Sequence, residues 1–160
     1  VWLGFQRGRI GVELFVTPER FWLDLVAGVA FGSALLGIWA AFRRISIAAR
    51  ALEAELGKLV APLTRSEAIA LAAISAIGEE LFFRGALQPR VGLVWASLLF
   101  GLAHLAPRRE LLPWSLFSLA AGFLLGGLYA VTGNLVAPVV AHVVVNAVNL
   151  HRLSRDFVAG

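Results

Sequence analysis

The chain has 160 residues and a formal net charge of +4, with 59% hydrophobic and 15% charged residues, and its mean hydropathy is +0.83. Soluble domains carry about 25% charged residues, so the composition excludes a soluble globule and points to one compact integral membrane domain. The lack of cysteine excludes disulfides, thiolate nucleophiles and Cys-ligated zinc or iron–sulfur centres.

The predicted elements are all helical. The first twenty residues contain Arg7, Arg9, Glu13, Glu19 and Arg20 and so hold no apolar signal-peptide core. The first apolar segment is 21–42, with Phe21 and Trp22 at one end and Trp39 and Phe42 at the other, as interfacial aromatics are placed. A polar interval, 43–65, follows; within it 45–60 has apolar residues at helical spacing and reads as an interfacial amphipathic helix. The second span is 66–87, broken by Pro89-Arg90, and the third is 91–106, ended by Pro107-Arg108-Arg109-Glu110. The fourth is 113–131, ended by Thr132-Gly133-Asn134, and the fifth is 135–151, ended by Arg152 and Arg155.

The expected fold is thus an all-α polytopic membrane bundle of about five transmembrane helices plus an interfacial helix. Its expected organisation is an N-terminal segment (1–65), an intramembrane core (66–152) and a short tail (153–160). The basic residues lie in loops between spans and act as topology signals, not as a nucleic-acid footprint. The positive-inside rule puts Arg43, Arg44, Arg50, Lys58, Arg65, Arg108, Arg109, Arg152 and Arg155 in the cytoplasm, with the N-terminus out and the C-terminus in. This implies a multi-pass protein of the cell (inner) membrane, with the lipid bilayer as its surroundings. All basic residues but Lys58 are arginine, which with the Ala/Gly/Leu bias suggests a GC-rich bacterial coding sequence. No Gly-rich phosphate loop follows a strand, so nucleotide binding is not expected.

Glu79-Glu80 and Arg84 lie within the second apolar segment. Each intramembrane charge costs roughly 3 kcal/mol on insertion scales, so such groups mark functional sites by default. Glu80 and Arg84 are four apart on one helix face and can pair, while Glu79 points about 100° away. One acid is neutralised and the other is left free to take a proton from water. The alternative is a Glu–Arg packing pair that sets helix register, which the second, adjacent glutamate disfavours.

Phe100 stands one turn before His104, and His142 one turn before Asn146, each pair on one face. Imidazole and carboxamide can both donate to a developing oxyanion. The alternatives are a histidine near the interface and polar glue between helices. From helical rise, Glu79 falls roughly 20 Å from the cytoplasmic end and His104 roughly 10 Å from Glu79 in depth. Asp24, in a first helical turn, suits the dipole, and Gly28/Gly32 and Gly122/Gly126 mark close helix packing.

Taken in order, Glu79-Glu80-x-x-x-Arg84, Phe100-x-x-x-His104 and His142-x-x-x-Asn146 resemble the CAAX proteases and bacteriocin-processing enzymes, which include the Ras-converting prenyl-protein endopeptidases. Phe83-Arg84-Gly85-Ala86-Leu87 and the Asn134…Pro138…His142 run agree with that resemblance, which covers about 67–150. It implies an intramembrane endopeptidase acting on a membrane-anchored protein or a C-terminal tail. Glu79 would activate water, Glu80 would be held by Arg84, His104 would polarise the water, and His142 and Asn146 would stabilise the oxyanion. Small bacterial members include myxosortase-like enzymes that trim sorting tails.

The resemblance to the prenyl-protein endopeptidases implies a glutamate mechanism with no cofactor, although relatives are often labelled metalloproteases. Two Glu and two His are also Zn²⁺ ligand types, but no His-Glu-x-x-His motif is present. A metal would leave few groups for the oxyanion, so Zn²⁺ is the alternative. Outside the protease reading stand a non-catalytic immunity or interaction protein that retains the site, and an ion conduit. The lack of charges along a transmembrane path disfavours the conduit.

Overall fold

A computed structural model describes residues 16–60, 63–106, 108 and 111–158. The charged N-terminal stretch through residue 15, and residues 107, 109 and 110 of the expected stop after the third span, lie outside the described residues. A 3-10 turn, Pro18–Arg20, leads into α1 (Phe21–Ile45). The others are α2 (Ile47–Val60), α3 (Arg65–Glu80), a π-helical turn (Leu81–Leu87), α4 (Gln88–Ala103), α5 (Leu112–Thr132) and α6 (Val136–Val158). No strand occurs among the described residues, and the all-α polytopic bundle is borne out.

Four stretches among the described residues are long and apolar enough to cross a membrane: Pro18–Ile45, Arg65–Ala103, Leu112–Thr132 and Val136–Arg155. The expected second and third spans are therefore joined in one helical run. Pro89 does not break it, because Pro89 stands in the first turn of α4, where a missing N–H costs little. The chain turns at Gly92 instead, whose φ of 83° and ψ of 167° lie outside the helix; a positive φ is costly for any residue with a Cβ. Beyond Gly92 the run doubles back. The Phe83 and Phe100 rings are 4.9 Å apart and the Arg84 guanidinium stands 4.5 Å over the Phe100 ring, whereas a straight helix would separate Arg84 from Phe100 by about 24 Å. The returning arm, 93–103, is about 16 Å long, short of the ~30 Å hydrocarbon core. It ends inside the bundle with His104 at its tip.

α6 is the central helix, packed against α1, α2, α3 and α5. Gly28 and Gly32 let α1 approach it: a Cβ on Gly28 would lie 2.7 Å from the Ala137 carbonyl oxygen, and one on Gly32 2.8 Å from that of Ala141. Gly122 plays this part between α5 and α4, where a Cβ would meet the Ser97 carbonyl oxygen at 2.9 Å. Side chains such as Trp22, Ile74, Trp95 and Val131 remain exposed, as a lipid-facing surface requires.

The two ends of the bundle differ. At one end Asp24, 1% exposed, accepts a 2.6 Å hydrogen bond from Asn134 Nδ2. Asn134 Oδ1 accepts from the Val136 amide at 3.0 Å. Asp24 thus ties α1 to the start of α6, a stronger role than the dipole reading assigned to it. At the other end α2 lies across the bundle with Leu52 buried. Glu53 of α2 accepts from Trp39 Nε1 at 2.8 Å and pairs with Arg152 and, at 3.5 Å, with Arg43. This end carries basic residues expected on the cytoplasmic side.

Candidate active site

α3 is started by a capping box, in which the Thr64 side chain accepts from the Glu67 amide and the Glu67 carboxylate accepts from the Thr64 amide. Four turns later the helix delivers Glu79 and Glu80 to the bundle interior, just before the π-helical turn Leu81–Leu87. π-bulges recur at functional sites because they re-aim the side chains around them.

The two glutamates part company as their spacing predicts. Glu80 is fully buried and Arg84 is 1% exposed, with Arg84 NH1 3.1 Å from Glu80 Oε1. Arg84 NH2 donates to the Gly122 carbonyl at 3.1 Å, and its guanidinium covers the Phe100 face. Glu80 Oε1 also lies 2.8 Å from His142 Nδ1. A carboxylate beside a ring nitrogen selects Nδ1–H as the donor, so His142 turns its Nε2 inward.

His104 is held in a like manner. Its Nδ1 is 2.8 Å from the Phe100 carbonyl oxygen, an acceptor only, so Nδ1 donates and Nε2 faces into the site. Its ring stacks on Phe100 at 4.4 Å, and Ser115 Oγ donates to its carbonyl at 3.0 Å. Glu79 Oε2 lies 3.5 Å from His104 Nε2 and 3.9 Å from His142 Nε2, buried without a hydrogen-bond partner among the described residues. The expected 10 Å offset of His104 in depth is absent, because the return arm starts at Gly92 and not at Pro89.

Asn146, one turn beyond His142, donates from Nδ2 to Ser75 Oγ at 3.4 Å. Glu79, His104, His142 and Asn146 line one cavity of about 320 Å³. The cavity runs towards the α2 end, where Trp39, Glu53, Trp114, Phe117 and Arg152 line it and the Trp39 and Phe117 rings meet edge to face at 5.3 Å. Leu35, Trp39, Leu52 and Glu53 also line it, so the cavity draws walls from both sides of the expected division at residue 65.

All six residues singled out in the sequence therefore come together: Glu79 open to the cavity, Glu80 and Arg84 behind it, His104 and His142 facing Glu79, and Asn146 along the wall. Sequence reasoning missed Ser75, although it stands four before Glu79 on the same face. It also missed Glu53 and Arg152, whose partnership crosses between α2 and α6. Among the described residues no group of three or more His, Cys, Asp or Glu side chains is arranged to hold an ion.

A Bacillus subtilis (strain 168) protein described as uncharacterized, YpbD, is 45% identical over 82 residues, which is 50% of this chain and 42% of that protein. The match thus spans less than half of that relative's length. No solved structure matches the chain. A family model described as type II CAAX prenyl endopeptidase Rce1-like matches residues 61–148. That range contains Glu79, Glu80, Arg84, His104, His142 and Asn146, and on this match the chain belongs to the Rce1-like family of type II CAAX prenyl endopeptidases.

Proposed function

We infer that the protein is an intramembrane endopeptidase that hydrolyses a peptide bond in a membrane-presented protein, near a C-terminal tail, with Glu79 as the base. One observation carries the reading: Glu79 Oε2 faces the Nε2 atoms of two histidines at the wall of an internal cavity, while Glu80 is occupied by Arg84 and His142. Two adjacent carboxylates with such different surroundings suit different roles.

Glu79 takes a proton from water, with His104 Nε2 helping to hold and polarise that water. The water oxygen bonds to the scissile carbonyl carbon, and the carbonyl oxygen becomes an oxyanion. Asn146 Nδ2 donates to that oxygen, as does His142 Nε2 when it carries a proton. The C–N bond then breaks, and the proton held by Glu79 passes to the leaving amine. Glu80 and Arg84 position His142 and do not touch substrate. No cofactor enters this scheme, and dialysis against a zinc chelator is expected to leave cleavage unchanged; loss restored by Zn²⁺ would overturn that part. The mostly apolar cavity, with Leu35, Leu52 and Leu125 among its walls, suits an apolar tail supplied from the bilayer of the cell membrane. The Arg43, Arg50 and Arg152 end faces the cytoplasm on the positive-inside rule.

The test compares C-termini of membrane proteins, by mass spectrometry, in cells carrying wild type or Glu79→Gln at equal abundance, followed by cleavage of an identified tail by purified protein. Loss of a general base costs about 10²–10⁴-fold in rate. Tails uncut only in the variant support the reading. Equal cleavage by Glu79→Gln refutes Glu79 as the base, and identical C-termini in the two cell lines with no cleavage by the purified protein refute the protease reading and favour the non-catalytic immunity or interaction protein.

A further inference from the structure

At the α2 end, on the side away from the cavity's interior, α3 and α6 leave a second groove of about 740 Å³. The two helices are antiparallel, with Glu80 at His142 and Ser75 at Asn146. Continuing that register brings Arg65, at the start of α3, level with Arg155 near the end of α6. The groove's floor is Ile69, Ala147 and Val148, and its polar residues are Arg65, His151, Arg152 and Arg155.

Among the described residues only one of the three arginines here has a counter-anion. Arg152 is committed to Glu53. Neither Arg65 nor Arg155 has an acidic partner among the described residues, and the nearby Glu67 carboxylate is used in the capping box. His151 Nδ1 is buried with no hydrogen-bond partner among the described residues. Beside these groups Ile69 and Val148 remain 44% and 46% exposed. Arginines and a histidine thus line a groove with an apolar floor, at the end where the loops are basic.

We propose that this groove binds an anionic phospholipid, its phosphodiester held by Arg65, Arg155 and His151 and its acyl chain lying on Ile69 and Val148. A soluble anion would meet the charges and leave the floor uncovered. A zwitterionic lipid would cover the floor but bring its own cation to the arginines. Basic pockets between membrane helices on the cytoplasmic side are suited to acidic headgroups.

The experiment uses the full chain, purified in mild detergent and incubated with equimolar phosphatidylglycerol and phosphatidylcholine of identical acyl chains. Retained lipid is counted by native mass spectrometry. One basic residue near a headgroup is worth about fivefold in affinity, so the two arginines give roughly a 30-fold preference for phosphatidylglycerol. Arg65→Gln/Arg155→Gln is expected to abolish that preference, Arg65→Lys/Arg155→Lys to keep most of it, and Arg44→Gln, on the same end outside the groove, to leave it unchanged. The preference should also fall as salt is raised. Equal retention of the two lipids by the wild type overturns the proposal, and that measurement needs no variant to fold. So does undiminished preference in Arg65→Gln/Arg155→Gln, an equal loss in Arg44→Gln, or displacement of the lipid by millimolar inorganic phosphate.

Discussion

Replacing Arg84 by methionine isolates what holds Glu80 in the bundle. Arg84 and Glu80 have side chains 2% and 0% exposed and stand 3.1 Å apart. The guanidinium also donates to the Gly122 carbonyl and covers the Phe100 ring, contacts that methionine's apolar stem replaces only in part. Breaking a buried pair by removing one partner costs about 3–5 kcal/mol, because the other charge is left uncompensated. His142 at 2.8 Å remains as a partner for Glu80, which places the loss towards the lower end, about 3 kcal/mol. The Gly122 carbonyl loses a charged donor, about 1–3 kcal/mol taken alone, a loss that overlaps the first. Glu80→Gln strands the arginine instead and should cost a similar amount. The double variant Glu80→Gln/Arg84→Met removes both charges and should be more stable than the sum of the single losses implies, with a coupling of about 2 kcal/mol. Equilibrium unfolding in mixed micelles, with a denaturing detergent titrated against a mild one, reads all four proteins. A loss under about 1 kcal/mol for Arg84→Met, or strict additivity in the cycle, would refute a desolvated, mutually dependent pair.

Asn146→Ala should lower the cleavage rate about 10²–10³-fold, as loss of one oxyanion donor does, with little change in KM; a KM effect alone would assign Asn146 to binding. Gly28→Val places a Cβ 2.7 Å from the Ala137 carbonyl oxygen and should destabilise by about 1–3 kcal/mol, while Gly37→Ala, with nothing within 4 Å, should not; equal melting temperatures for the two would show that α1 does not pack on α6 as described. Burial pushes the Glu53 carboxyl up, but hydrogen bonds from Arg152 and Trp39 and the charges of Arg152 and Arg43 outweigh it and hold it below its usual 4.5. Its contribution to stability is therefore fully present above that usual value and lost as pH falls through the lowered one. The stability gap between wild type and Glu53→Gln should narrow on acidification through that range, and a gap independent of pH would show that the Arg152 pairing does not form.

Local spacing made much of the site legible in the sequence. The i,i+4 rule joined Glu80 to Arg84, and the 100° step turned Glu79 away from them. The same rule set His104 one turn after Phe100 and Asn146 one turn after His142. Each of these statements needs only helical geometry, because the residues involved lie within one turn or so of each other along a continuous helical run or at its end.

The sequence by itself determined that the protein is an all-helical membrane bundle, since continuous apolar runs near 20 residues match a spanning helix, which satisfies its own backbone in lipid, and not the short alternating strands of a barrel. It also determined which helices carry ionisable groups inward. Where the chain turns was decided only in three dimensions. Pro89 in a first helical turn and Gly92 at positive φ look alike as breakers in the sequence, yet only Gly92 reverses the chain, and that choice sets the depth of His104. Contacts between helices were likewise beyond local spacing: Glu80 with His142, Asp24 with Asn134, Glu53 with Arg152, and Asn146 with Ser75. Each depends on the register of one helix against another, and periodicity along one helix says nothing about the helix it meets; between α1 and α6 that approach rests on Gly28 and Gly32.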